Sequence, residues 1–130
     1  CIVSWPGRIP RGQVRQQIGS AMDWLPTLAD YCGLDTSDLA LDGRSLTDVI
    51  GADAPSPHAA LHWMLATQWA ARQDAWKMIS RGDTMFLANL HDDPGESRNL
   101  ANDRPDIISR LRARHEAWVA TGIKPIYTVE

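Results

Sequence analysis

The chain has 130 residues, enough for one domain with a modest core. Hydrophobic residues make up 44% and charged residues 22%, an ordinary globular balance that excludes a disordered polyelectrolyte. The formal net charge of −3 argues against nucleic acid as the main partner, and no apolar run approaches the ~18 residues needed to cross a membrane.

Residues 1–5 form a short apolar run stopped by Pro6 and Gly7, which predicts a buried strand leaving a sheet. A Pro- and Gly-rich loop follows to Gly12, and residues 14–18 predict a short strand. Asp23 reads as the N-cap of a helix with Pro26 in its first turn. Leu25, Leu28, Ala29 and Cys32 follow the spacing of one buried stripe, and Gly33 is a natural stop. Cys1 and Cys32 do not make a disulfide framework, and Cys32 reads as a small apolar residue near a helix end. Asp42-Gly43 predicts a tight turn. Ser45 predicts the cap of a second short helix, with Leu46, Val49 and Ile50 inward and Gly51 ending it.

Residues 52–57 carry two prolines among small residues and read as a linker. Beyond them the pattern changes to short apolar segments at 60–66, 68–73, 75–81 and 84–90. The breaks between them are too short for parallel crossovers, so they predict an antiparallel meander of three or four strands. Residues 92–102 are a polar loop with Pro94-Gly95 suited to a type II turn. Asp103 predicts the cap of a last helix of about 18 residues, with Pro105 in its first turn. Ile107, Ile108, Leu111, His115 and Trp118 would line the face that packs on the sheet, while Arg110, Arg112 and Arg114 face solvent.

Catalytic signatures are not visible. G-x-S-x-G, H-E-x-x-H, C-x-x-C, a phosphate loop and a dinucleotide fingerprint are all absent. An N-terminal nucleophile at Cys1 lacks a base or oxyanion site at a readable spacing. His58 and His62 fall on one face of either a helix or a strand, but a third metal ligand is not in view, so a hydrogen-bonded histidine is the better reading. Asp92, Asp93, Glu96 and Asp103 do not match a calcium loop and suit turns and caps better.

What stands out is an ordered set of short motifs: SWPGRIP at 4–10, MDWLPTL at 22–28, LDGRSL at 41–46, RQDAWK at 72–77, DDPGE at 92–96 and NLA at 99–101. In this order the set resembles the C-terminal third of type I sulfatases, in the alkaline-phosphatase-like superfamily. The resemblance implies an α+β chain. Residues 1–51 would be the last strand and helix of the α/β catalytic domain, 52–57 a linker, and 58–130 the C-terminal subdomain. That subdomain would be a small antiparallel sheet under one long helix. The family chemistry uses a formylglycine made from a C-x-P-x-R-type motif, and a divalent cation, calcium in the parent enzyme. Neither cysteine here has that context, so the resemblance carries no catalytic and no metal residue onto this chain. Expected cofactors in the chain itself are therefore none, and the chain alone is expected to be inactive.

The resemblance also implies a substrate-cleft rim near Arg72 and Lys77, joined by His62, Trp63 and Gln68, with Trp63 placed to stack on a sugar or aryl group. Solvent exposure or an ion pair with Asp74 is the plainer alternative for Arg72 and Lys77. Expected partners are an N-terminal catalytic domain or a second copy, and a sulfated small molecule or sugar for the parent. Many relatives are exported, periplasmic or lysosomal, and nothing in the sequence fixes the compartment. Two rivals stay open: a phosphonate or phosphodiester hydrolase of the same superfamily, and a stand-alone binding or assembly module.

Overall fold

The computed structural model describes residues 1–122. They form two compact units, Cys1–Ala59 and a second beginning at Ala60.

In the first unit a 3₁₀ turn, Ala21–Asp23, leads into α1, Trp24–Cys32. Pro26 takes the third helical position, where its missing N–H has no partner to lose. Gly33 closes α1 in the left-handed conformation, with φ 68°. The second helix, α2, is Thr47–Ala52. It runs through Gly51 and ends on Asp53, at φ 57°, instead of stopping at the glycine. Arg15 explains that end: its guanidinium donates to the carbonyls of Val49 and Ile50 at 2.8 and 3.1 Å. The N-cap is Leu46; Ser45 sits one residue earlier, its hydroxyl accepting from Thr47 N at 3.3 Å.

The unit is organised around Asp23, which is fully buried. Its carboxylate accepts from Ser20 N at 2.6 Å, Arg44 N at 2.8 Å and His58 Nε2 at 2.8 Å. Thr27 Oγ1 donates to the Asp23 carbonyl at 2.6 Å and accepts from Leu46 N at 2.9 Å. Asp23 holds the N-cap position of α1, but its carboxylate makes no capping bond to that helix and instead clasps three separate stretches of chain. Gly43 is required by the same packing. A Cβ there would fall inside the Met22 carbonyl group and 3.0 Å from Asp23 N.

Three expectations for this unit are corrected. Residues 1–5 are not a strand and are exposed. Residues 14–18 are not a strand either; they are held by side chains, through Arg15 and through Gln17 Nε2 donating to Asp53 Oδ1 and the Ala54 carbonyl. The stripe on α1 is buried only at Ala29, with Pro26 and Thr27, while Leu25, Leu28 and Cys32 are exposed. Residues 52–57 are tied down as well: Ser56 Oγ donates to the Ile18 carbonyl at 2.7 Å.

The second unit is a four-stranded antiparallel sheet in the order β1-β2-β3-β4: Leu61–Leu65, Gln68–Gln73, Trp76–Arg81 and Thr84–Asn89. Each hairpin turns through two residues, and the first of them has positive φ: Ala66 at 53°, Asp74 at 52° and Gly82 at 60°. This sign matches the right-handed twist of paired strands. A third helix, α3, spans Pro105–Val119, 15 residues with Arg104 as N-cap in place of Asp103. Met78, Leu87, Ile107 and Leu111 form the core between one sheet face and α3. Arg110, Arg112 and Arg114 are exposed, as the sequence suggested.

The polar loop after β4 is ordered by side chains. Asp93 accepts from Ser97 N and Arg98 N at 2.8 and 2.9 Å, which holds its carboxyl below the usual range. Asn99 Oδ1 accepts from Leu87 N, and its Nδ2 donates to the Met85 carbonyl, both at 3.0 Å. The turn at Pro94-Gly95 is not type II: Gly95 does not have positive φ, and the left-handed position falls on Glu96 at 52°.

Two substitutions test the Asp23 clasp. Gly43→Ala should destabilise the chain by at least about 2–3 kcal/mol through the backbone collision. Asp23→Ala should cost on the order of 3–5 kcal/mol by leaving its donors unpaired in the interior. Urea unfolding with unchanged midpoints for both would show the clasp to be dispensable.

Candidate functional site

Side chains in a strand alternate between faces, so the register of the sheet sorts the candidate residues. Trp63 stands opposite Ala70, and Ala70 opposite Ile79. Arg72 stands opposite Lys77, and Gln68 opposite Arg81. Trp63, Gln68, Arg72 and Lys77 therefore share the face turned away from α3. There they line one open groove of about 810 Å³, with Ile79, Arg81 and Glu96.

The cations in the groove have different partners. Lys77 Nζ donates to Glu96 Oε1 at 2.6 Å, and both side chains are about three-quarters buried. This pair, not one with Asp74, neutralises Lys77. Arg72 does turn to Asp74, but to its backbone: Nε donates to the carbonyl oxygen at 3.1 Å. Arg81 is exposed and, among the described residues, has no ion pair. Trp63 is 46% exposed and presents its ring as an apolar surface.

His62 does not join them. It lies one position off the alternation of Trp63 and points to the opposite face. There it stacks on Trp118, centroids 5.0 Å apart, while His115 stacks on Trp69 at 4.1 Å. Burial lowers the affinity of both imidazoles for a proton, and for His62 the neighbouring His115 and Arg114 lower it further. His58, the other half of the four-residue pair, is in the first unit and holds Asp23.

Sequence reasoning missed Glu96 and Arg81. Arg81 was accessible from the alternation 77, 79, 81. Glu96 was not, because its reach to Lys77 depends on the left-handed turn of a loop. Among the described residues, no three His, Cys, Asp or Glu side chains come together to hold a metal ion. Cys1 and Cys32 are free and exposed. These residues do not fit the formylglycine and cation of the sulfatase reaction. No helix among the described residues is long and apolar enough to cross a membrane.

Comparison with known proteins shows what the chain is similar to. No family model matches the chain. The chain is similar to arylsulfatase A of Homo sapiens, 26% identical over 83% of this chain and 28% of that protein. Its fold is similar to that of Ps i-CgsB in complex with k-i-k-neocarrahexaose, with a TM-score of 0.76 and 21% identity. That match covers 97% of this chain and 30% of Ps i-CgsB. It is also similar to BT4656 in complex with its substrate D-glucosamine-2-N,6-O-disulfate, with a TM-score of 0.58 and 19% identity. That match covers 73% of this chain and 22% of BT4656. By these relatives the chain is similar to a C-terminal portion of sulfatases. It spans less than a third of the length of each of these three proteins.

The histidine stacks generate a pH dependence. The folded-state affinity of His62 and His115 lies below the ordinary imidazole value of 6.5, so the unfolded chain takes up protons first as pH falls. Their contribution to stability is complete above 6.5 and is lost as pH falls through their lower folded values. The melting temperature should fall as pH drops from 7.5 towards 5, about where carboxylates have not yet begun to protonate in bulk. His62→Gln with His115→Gln should flatten that fall; an equal slope in the double variant would place its origin elsewhere.

Proposed function

We propose that this chain is the C-terminal part of a sulfatase, where it shapes one side of the substrate cleft and stabilises the catalytic domain. The observation that carries this reading is the similarity to arylsulfatase A over 83% of the chain, within only 28% of that enzyme. The reaction is hydrolysis of a sulfate ester. In this reading its formylglycine and calcium belong to the rest of the parent enzyme.

Two features of the structure support the division of labour. The open sheet face gathers Trp63, Gln68, Arg72 and Lys77 into one groove, the chemistry of a rim that receives an anionic, ring-bearing substrate. The first unit leaves Ile2, Val14, Leu25 and Leu28 exposed, an apolar surface suited to burial against a further domain. A sulfated sugar is the substrate class this reading favours, because BT4656 is seen with a disulfated glucosamine.

The purified 130-residue chain should hydrolyse no aryl sulfate and should self-associate at tens of micromolar by light scattering. Joined to the portion that precedes it in its gene, it should hydrolyse the ester. Saturable sulfatase activity in the chain alone, or a clean monomer, would count against the proposal.

A further inference from the structure

We infer that the groove on the open sheet face takes a sulfated oligosaccharide through two separated arginines, Arg72 and Arg81. The inference rests on the cleft-shaping reading above and adds the charge pattern of the ligand.

The groove carries Arg72, Lys77 and Arg81 against Glu96 alone, a surplus of positive charge on a chain whose net charge is −3. Lys77 is already matched by Glu96 at 2.6 Å, so it is not the anion's partner. It anchors the loop that walls the groove. Arg72 uses only Nε on the Asp74 carbonyl, which leaves its two terminal nitrogens to donate. Arg81 has its whole guanidinium to offer, with no ion pair among the described residues. A guanidinium presents parallel donors that match two oxygens of an oxyanion, which an ammonium cannot do.

The register sets the spacing. Arg72 is level with Lys77, and Arg81 is four residues further along β3, on the same face. At about 3.3 Å per residue the two arginine rows are about 13 Å apart. Between them lie Trp63, Ala70 and Ile79, an uncharged strip with an exposed indole. Two oxyanion sites separated by an apolar strip fit two sulfate groups carried on sugar rings. A single small anion would use one arginine and leave the strip empty.

The test is calorimetric titration of the full chain with a heparin-derived tetrasaccharide, beside the same sugar after chemical desulfation. Saturable binding should require the sulfates. Arg72→Gln and Arg81→Gln should each weaken it roughly five- to tenfold. Trp63→Ala should weaken it without changing its response to salt, because it removes stacking and no charge. Arg112→Gln, an exposed residue of α3 that does not line this groove, should leave binding unchanged. Circular dichroism checks that each variant is folded. Equal binding of the desulfated sugar, equal loss in Arg112→Gln and Arg81→Gln, or absence of binding would overturn the inference. Lost oligosaccharide binding with aryl sulfatase activity intact in the joined enzyme overturns this inference alone. Intact binding without that activity overturns only the enzymatic reading.

Discussion

The alternation of side chains across the antiparallel sheet is the constraint on which the rest of the structure depends. One set of positions, including Met78 and Leu87, is committed to the core under α3. The intervening set, including Trp63, Arg72 and Lys77, is thereby presented on the other face. A slip of one residue in any strand would exchange the two sets, burying charge and exposing the core. The same hydrophobic packing that fixes register therefore also fixes which residues the open face presents. Asn99 and Asp93 extend this control beyond β4, because their hydrogen bonds place the loop from which Glu96 reaches Lys77.

The first unit is built on a different principle. It has little regular structure and a small apolar core, and a buried carboxylate substitutes for both. Asp23 gathers the nearby amide of Ser20, the distant amide of Arg44 and the imidazole of His58. A buried carboxylate is costly to desolvate, and several aligned donors offset that cost only in one arrangement. This makes the unit sensitive to single residues such as Gly43, whose missing side chain lets the loop reach Asp23.

The sheet was legible in the sequence because its signals are local. Short apolar strands separated by brief breaks around Asp74 and at Gly82-Asp83 leave few alternatives to a meander. Which of the candidate residues share a face was legible in part, and the exception is instructive. His62 is adjacent to Trp63, and adjacent residues in a strand face opposite ways. The errors in the first unit share one cause. The apolar run at 1–5 and the Leu25, Leu28 and Cys32 stripe have the periodicity of buried elements, yet periodicity reports what a surface suits and not what covers it. These residues are exposed in this chain. The Asp23 clasp was hidden for the opposite reason: its partners are backbone amides and a histidine far along the chain, which leave no pattern in sequence.

The most direct measurement of the central claim is the sequence of the gene upstream of the codon for Cys1. Membership of a sulfatase predicts an uninterrupted reading frame of several hundred codons, with a Cys- or Ser-x-Pro-x-Arg motif and an Asp-Asp pair near its beginning. A start codon within a few residues of Cys1 would contradict the account and leave a stand-alone binding or assembly module in its place.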